Sequence, residues 1–492
     1  MNILLVSPKT PETFWSFRYV LHFISKKASY PPLGLLTVAA MLPREWNLRV
    51  VDLNVKTDIS EKDLKWADYV MVSAMIVQKK SVSEIIQKCS KYNKTIIAGG
   101  PLFTTSYEYY PQIKHFVLGE AENVVDELVN DMKSGNLKHI YSSDKKPDLT
   151  VTPAPRWDLI KMRDYAAMSV QFSRGCPFDC EFCDITAIFG RVPRTKPPTQ
   201  LIYELEYLRN LGWKDTVFIV DDNFIGNKKQ TRELLKEMIA WRRKTRAKMT
   251  FLTEASVNLA DDPELCKMMV EAGFVKVFVG IETPSAEALL ECRKMQNQGR
   301  DLVNVVKILQ QSGLEVMGGF IVGFDHDPPD IFQRQYEFIQ RSGVVTAMVG
   351  ILTALPKTKL YHRLFKEGRI KEDSSGDNTR TDINFEPKLN REFLKNNYRQ
   401  LMKKLYSPSV YYKRIRTFLS TYKPASAKIR ISYDDFLAFI KSIWYLGVRD
   451  REGRKEYWKL FCSTLLTQPE KFRNAIELAI IGLHFRKVAE QL

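Results

Sequence analysis

The sequence predicts an α/β protein of three parts: a doubly wound, Rossmann-like N-terminal domain, a partial (β/α)6 barrel and a mostly helical C-terminal domain. Short β-branched runs alternate with helix-patterned stretches in two series, and a polar, proline-bearing segment separates the series. After Glu367 the strand pattern stops, and apolar residues recur at helical spacing. We expect an α/β domain at 1–140, a linker at 141–165, the barrel at 166–365 and the helical domain at 366–492.

The first series has the pattern of a parallel sheet that is covered on both faces. Its strands are nearly all apolar and alternate with helices, which is typical of an open, doubly wound domain. The predicted strands are residues 3–7, 48–53, 69–73, 95–98 and 115–118, and the predicted helices lie near 33–41, 81–92 and 121–132.

The second series contains six strand-helix units in about 190 residues, which favours an open barrel over a closed barrel of eight units. Its strands are predicted at residues 169–173, 216–220, 249–254, 276–281, 315–322 and 346–352, with helices near 201–210, 230–242, 263–272 and 301–312. Ligands of such a barrel bind at the C-terminal ends of its strands.

The chain starts directly with a strand pattern, MNILLVSPKT, without the features of a signal peptide. Its most apolar later stretch, residues 436–448, is shorter than a bilayer requires and contains Lys441. We therefore expect a cytoplasmic protein without a transmembrane helix.

Seven cysteines are present, and three of them fall within eight residues, which suits metal ligation in a reducing compartment. The other four, Cys89, Cys266, Cys292 and Cys462, are predicted to be buried small hydrophobic residues.

The formal net charge of +17 is concentrated near the C-terminus, where residues 388–492 hold 22 Lys and Arg against 9 Asp and Glu. Such a segment suits an anionic membrane surface, an acidic protein or nucleic acid, or it is simply a solvated helical face. No zinc-finger spacing or aromatic ribonucleoprotein signature accompanies it, so no nucleic acid is expected.

Residues 174–184 read RGCPFDCEFCD and place Cys176, Cys180 and Cys183 at positions i, i+4 and i+7 after the first barrel strand. Thiolates at this spacing can reach three corners of an iron–sulfur cubane, which leaves one iron open for a small molecule. A zinc site is the alternative, but it needs a fourth ligand, and the only candidates within about 70 residues are His115 and His139 of the preceding domain.

At these residues the sequence resembles the radical S-adenosylmethionine (SAM) superfamily. The resemblance implies a 4Fe–4S cluster on the three cysteines, which would be both metal ligands and catalytic residues. It also implies SAM bound through its amino and carboxylate groups to the open iron, cleavage to a 5′-deoxyadenosyl radical, and an electron donor such as flavodoxin or ferredoxin.

Polar residues and glycines follow several barrel strands and are candidates for a SAM pocket. By resemblance, Phe182 would pack beside adenine, Glu254 and Glu282 would contact the ribose and the methionine amine, and Gly323 would form part of the adenine floor. Asp222 in VDDNF is a further acceptor for cofactor hydroxyl or ammonium groups. Each acidic residue has an equally good alternative as a cap of the next helix.

The N-terminal domain should bind a ligand outside the C-terminal ends of its strands, where the cofactor-binding candidates are Ser73, Gly99, Gly100, Gly119 and Glu120. A GxGxxG motif does not follow its first strand, which weakens a dinucleotide interpretation. Because a radical SAM barrel follows, the domain resembles the cobalamin-binding module, with the matching runs PPLGL, VDLN, AGGP and GEAE. The Asp-x-His-x-x-Gly motif is absent, which leaves the lower face of cobalt unassigned, and a plain flavodoxin-like scaffold is the alternative.

The runs VDDNFIGNKK, GIETPSAEAL and ALPKTKLYHRL are similar to the branch that includes the hopanoid C-2 methylase. The resemblance implies methyl transfer to an unactivated carbon of a small, apolar, hopanoid-like or isoprenoid-like substrate, through a 5′-deoxyadenosyl radical and methylcobalamin. It also suggests peripheral contact of the basic tail with an anionic membrane at its inner face. The alternatives are ring formation, carbon–carbon coupling or rearrangement with the same cofactors, and a non-catalytic iron–sulfur sensing module.

Overall fold

The computed structural model describes residues 1–377, 379–424 and 433–492. Two six-stranded sheets, each wholly parallel, confirm the predicted α/β class with a helical C-terminal region. In the first sheet the strands are β1 Asn2–Ser7, β2 Asn47–Asp52, β3 Tyr69–Ser73, β4 Thr95–Gly99, β5 His115–Leu118 and β6 Ile140–Ser142. Its helices are α1 Arg18–Leu21, α2 Leu33–Met41, α3 Glu61–Trp66, α4 Lys79–Lys91, α5 Pro101–Ser106 and α6 Val125–Ser134.

The first sheet has the strand order β2-β1-β3-β4-β5-β6 and a separate apolar core on each face. Leu4 and Val6 lie in one core, whereas Ile3 and Leu5 lie in the other. Successive side chains of a strand point to opposite faces, so a strand that is apolar throughout must be covered on both sides.

Strand β6 joins the edge of this sheet at the start of the segment predicted to be a linker. Further along that segment Trp157 is fully buried, and the hydroxyl of Tyr165 donates to Asp52 at 2.9 Å. The segment that connects the two domains is therefore packed against the folded protein.

The strands of the second sheet lie side by side in chain order, as expected of an open (β/α)6 barrel. Its strands are β7 Met168–Val170, β10 Val217–Ile219, β11 Phe251–Ala255, β12 Phe274–Glu282, β13 Glu315–Val322 and β14 Ala347–Ile351. The helices are α7 Ile185–Ile188, α8 Pro198–Asn210, α9 Lys228–Thr245, α10 Pro263–Ala272, α11 Ala286–Glu291, α12 Leu302–Gln311 and α13 Ile331–Ser342. The predicted strand 169–173 is split, because Ser173–Arg174 (β8) leaves the sheet and pairs antiparallel with Arg194–Thr195 (β9).

The C-terminal helices share one apolar core with the barrel. They are α14 Lys359–Lys366, α15 Arg391–Leu405, α16 Pro408–Thr421, α17 Tyr433–Ser442, a π-helix at Ile443–Arg449, α18 Arg454–Thr467 and α19 Phe472–Glu490. The hydroxyl of Tyr398 donates to the carbonyl of Val349 at 3.0 Å, and that of Tyr406 donates to Ala347. These carbonyls belong to the edge strand β14, so the helices satisfy the open edge of the barrel.

The segment between β1 and α2 packs on the barrel and on the C-terminal helices. Phe14 stacks on Phe485 of α19 at 5.3 Å, and the ammonium of Lys441 on α17 donates to the carbonyl of His22 at 2.7 Å. This segment belongs to the N-terminal domain in the sequence, but the C-terminal helices hold it in place.

Cys89, Cys266 and Cys292 are buried, as predicted, but the prediction for Cys462 was wrong because it lies on an exposed face of α18. Among the described residues, no helix has both the length and the apolar character needed to cross a bilayer.

Candidate functional site

The three-cysteine loop leaves the barrel through a constrained turn. Gly175 has a φ of +94°, and a β-carbon there would lie 3.0 Å from the carbonyls of Gly190 and Val192. Its N–H donates to the carboxylate of Asp222 at 2.7 Å. The glycine and Asp222 therefore fix where the loop begins.

All three thiols of the loop are free, and neighbouring amides point at two of them. The side-chain amide of Asn223 lies 3.9 Å from the sulfur of Cys176, and that of Gln296 lies 3.8 Å from the sulfur of Cys180. Burial raises the pKa of Cys176 and of Cys183, so an apo protein holds them as thiols. Coordination to iron is what would stabilise thiolates in this buried site.

The donor set therefore fits an iron–sulfur cluster. Within the described ranges, no group of three or more His, Cys, Asp or Glu side chains is placed to hold a single metal ion. A cubane has a different requirement, since each thiolate binds its own iron atom.

Lys294 brings a mostly buried positive charge to the loop. Its ammonium lies 2.7 Å from the carboxylate of Glu282, whose φ of +66° is unusual for a residue with a side chain. Burial opposes the charge, but Glu282 and the sulfurs of Cys180 and Cys183 outweigh it and raise the pKa of Lys294. Glu282 is therefore already paired.

The structure brings Phe182 next to the segment that contains Gly323. The rings of Phe182 and Phe324 lie 6.2 Å apart, and the Lys294 ammonium lies 5.9 Å from the Phe182 ring. Gly323 has a φ of +101°, and its N–H donates to Asp327 at 2.7 Å. This proximity agrees with one pocket, while the individual cofactor contacts stay predictions.

The acidic residues at the strand ends differ in their partners. Asp221 accepts from the N–H of Phe172 at 2.8 Å and from the hydroxyl of Ser173 at 2.6 Å, so it holds the strand ends. Burial raises the pKa of Asp222 to about 7 and that of Glu254 to about 8. Glu254 accepts no side-chain hydrogen bond from any described residue. A largely buried carboxyl that accepts no side-chain hydrogen bond suits a ligand that brings hydroxyl or ammonium donors.

An aromatic wall lies on the same barrel face as Glu254. Phe218 pairs in register with Leu252, and Glu254 pairs with Phe278, so these side chains share one face. The N-terminal segment completes the wall with Trp15, whose ring lies 5.1 Å from Phe278 and 6.1 Å from Phe218. Tyr30 lies 5.2 Å from Phe218, and burial raises the pKa of its hydroxyl, with a smaller contribution from Glu254.

The glycine candidates of the N-terminal domain lie together at the C-terminal edge of its sheet. Gly100 has a φ of +90°, and a β-carbon there would lie 2.7 Å from the hydroxyl of Ser73. Gly119, with a φ of +81°, has no atom within 4 Å of such a β-carbon. Gly100 is tightly packed, whereas the space beside Gly119 is free, so the backbone at this edge can lie close to a large planar cofactor such as cobalamin.

Glu120 is placed differently from the glycines. Its carboxylate lies 2.8 Å from Arg174 and 2.9 Å from Arg194, and Glu122 lies 2.9 Å from Arg174. Arg174 directly precedes the cysteine loop, so these pairs make the ligand-binding ends of the two domains face each other. The structure gives Glu120 a connecting role, and its cofactor contact stays a prediction.

Helix α14 braces the other side of the loop. The guanidinium of Arg363 lies 2.7 Å from Glu181 and 3.0 Å from Asp325, and the N–H of Leu360 donates to the Glu181 carbonyl at 2.9 Å. Glu181 lies between the second and third cysteines, so the C-terminal region helps to set the loop.

The sequence did not identify Lys294, Gln296, Trp15 and Tyr30 as site residues. Each reaches the site only through tertiary packing, and none belongs to a periodic or metal-ligand pattern. Asn223, in contrast, lies in the VDDNF run, whose polar residues were predicted to line the SAM pocket.

Comparison with known proteins agrees with this architecture. Residues 170–339 match the radical SAM superfamily, residues 23–129 match the B12 binding domain, and residues 358–492 match a domain of unknown function (DUF4070). The chain is 40% identical to an uncharacterized methyltransferase of Synechocystis sp., with 100% of this chain and 92% of the relative covered. It is 32% identical to the hopanoid C-2 methylase of Rhodopseudomonas palustris, with 94% and 89% covered.

A solved structure of the cobalamin-dependent SAM radical enzyme OxsB, with aqua-cobalamin and SAM bound, has a TM-score of 0.65 at 15% identity. The alignment covers 100% of this chain and 80% of that one, so the fold is shared throughout.

A B12-binding domain joined to a radical SAM barrel defines a cobalamin-binding radical SAM enzyme. Within that class, the chain belongs to the family that includes the hopanoid C-2 methylase. The two domain matches confirm the family predicted from the sequence, together with its 4Fe–4S cluster, SAM and cobalamin.

Proposed function

We propose that this enzyme transfers a methyl group to an unactivated carbon of an apolar, hopanoid-like or isoprenoid-like lipid. The observation that carries the proposal is the aromatic wall of Trp15, Tyr30, Phe218 and Phe278 on the barrel face that also holds Glu254. Aromatic rings suit a flat, apolar substrate, while the carboxyl suits the polar cofactor beside it.

When bound, the cluster and SAM supply a 5′-deoxyadenosyl radical, and cobalamin supplies the methyl group. Residues of both domains would hold these groups close together. The ion pair between Arg174 and Glu120 joins the barrel to the N-terminal sheet, and the segment between β1 and α2, which contains Trp15, covers the barrel. Exclusion of water there protects a radical from side reactions.

Deuterated-methyl SAM tests the reaction. Anaerobic, reconstituted enzyme with a lipid extract should yield a lipid that carries the deuterated methyl group, and the Cys180→Ala variant should yield none. A changed lipid without the label would contradict methyl transfer and support ring formation, coupling or rearrangement.

Trp15→Ala tests the substrate wall. We expect methylated product to fall roughly tenfold, because one large aromatic contact is lost, while 5′-deoxyadenosine formation without substrate persists. Tyr203→Ala, at an exposed position on α8, is the matched control. Equal effects of the two variants would remove the wall from the proposal.

We further propose that a small acidic flavodoxin or ferredoxin donates the electron at the surface around Asp179, next to Cys180. Arg191 and Arg293 are more than half exposed there, and Lys359 pairs with Asp179. Arg191→Gln with Arg293→Gln should slow 5′-deoxyadenosine formation with flavodoxin but leave it unchanged with dithionite. Equal slowing with both reductants would show a structural defect.

The enzyme is also proposed to contact an anionic membrane peripherally, since its apolar substrate would reside there. The concentration of positive charge in residues 388–492 supports this contact.

A further inference from the structure

Helix α17 and the π-helix that continues it carry an exposed apolar row at four-residue spacing. Its members, which we call the docking stripe, are Phe436, Ile440, Trp444 and Val448, with 52%, 47%, 59% and 48% of their surface exposed. Soluble surfaces normally show such side chains singly, so a continuous row indicates an interaction site.

The opposite face of the same helices is fixed to the protein. Phe439 stacks with Phe461 of α18 at 6.0 Å, and Ser442 shares a hydrogen bond of 2.9 Å with Tyr457. Lys441 bonds the carbonyl of His22. The stripe is therefore presented by a rigid support.

Helix α18 runs antiparallel beside the stripe and widens the apolar surface. The indole N–H of Trp458 donates to the carbonyl of Gly447 at 2.9 Å, next to Val448. About two turns further along α18, on the side of Trp458, Leu465 and Leu466 are 47% and 81% exposed.

Positive charge borders this apolar surface. Arg449, Arg451, Arg454 and Lys455 follow the stripe, are all exposed, and form no ion pair within the part of the chain that the structure describes. Two of the three carboxylates in this stretch are engaged elsewhere, since Asp450 pairs with Arg486 and Glu456 pairs with Arg416 and Lys459. The third, Glu452, is exposed and leaves the four cations in excess.

We propose that the docking stripe and its bordering cations bind the surface of an anionic lipid bilayer. A tryptophan among aliphatic residues suits the boundary between headgroups and acyl chains, and unpaired cations suit anionic headgroups. A second copy of the chain fits less well, because two copies would bring the same unpaired cations together. The purpose of docking rests on the proposed lipid substrate, but the binding itself does not.

Co-sedimentation of the full-length holoenzyme with vesicles tests the proposal without substrate or catalysis. Its result therefore does not depend on whether the enzyme transfers a methyl group. Binding should be strong to phosphatidylcholine vesicles that contain phosphatidylglycerol, weak to phosphatidylcholine alone, and reduced by salt. Arg449→Gln with Arg451→Gln should weaken partitioning about 30-fold, at the usual contribution of a cation near an anionic surface. Ile440→Ser with Trp444→Ser should weaken it by at least about tenfold.

Matched controls use exposed positions elsewhere. Lys62→Gln with Lys236→Gln removes two distant cations, and Tyr203→Ser removes a distant exposed aromatic ring. Circular dichroism and 5′-deoxyadenosine formation check that every variant is folded.

Equal binding to both vesicle types, or equal losses in the control variants, would overturn the proposal. So would a dimer that the stripe variants convert to monomer while vesicle binding is unchanged, since the occupant would then be a second copy.

Discussion

The ion pairs between Glu120 and the barrel give a sharp test of how the two cofactor domains are held together. Only 3% of the Glu120 side chain is exposed, against 11% for Arg174 and 17% for Arg194. Removing one partner of such a buried pair costs about 3 to 5 kcal/mol, because it leaves a charge without compensation. Glu122 still neutralises Arg174, so we expect Glu120→Gln to cost about 3 kcal/mol, the lower end of that range.

Urea unfolding of the apo protein, followed by far-ultraviolet circular dichroism, measures this loss, and limited proteolysis within residues 141–165 reports whether the domains separate. Glu127→Gln is the matched control, since Glu127 pairs with Lys138 where both side chains are about half exposed. That change should cost less than about 1 kcal/mol.

The reasoning is refuted if the two variants unfold alike. A variant Glu120→Gln that unfolds like wild type but loses bound cobalamin would instead support the cofactor contact predicted from the sequence.

Three further results are expected. The fold raises the pKa of Glu254 from 4.5 to about 8 and therefore favours its protonated form. As the pH rises from 4.5 to about 8, wild-type apo protein should lose stability relative to the Glu254→Gln variant, which cannot ionise at this position. A stability difference between the two proteins that does not depend on pH would contradict this. Tyr398→Phe leaves the Val349 carbonyl without its donor and should cost about 1 to 3 kcal/mol in thermal unfolding, whereas Tyr203→Phe should have no effect. Gln296→Leu removes an N–H directed at the sulfur of Cys180 and should therefore lower the midpoint potential of the cluster. A redox titration followed by electron paramagnetic resonance measures this potential, and an unchanged value would contradict the prediction.

Local patterns were sufficient for much of the architecture. Apart from β6, the parallel strands of both sheets follow from hydrophobic periodicity, as do many of the helices, since a strand that is buried on both faces has to be apolar throughout. The three cysteines could be proposed as cluster ligands because their spacing is a local property of one loop.

Contacts between distant segments were beyond such patterns. Trp15 reaches the barrel because the C-terminal helices hold its segment, and Lys294 reaches the cysteine loop from the turn that follows α11. Glu120 is a further example. Its position in the sequence predicted a place at a ligand-binding edge, but not that its carboxylate forms an ion pair with Arg174.

The sequence by itself determined the order of strands and helices, the three-cysteine loop and the family, because these depend on residue types at short, fixed spacings. Only the tertiary structure decided which charges are neutralised, which aromatic residues face the barrel interior and which apolar row stays exposed. Those properties depend on what packs against each side chain, and the packing partners lie hundreds of residues apart in the chain.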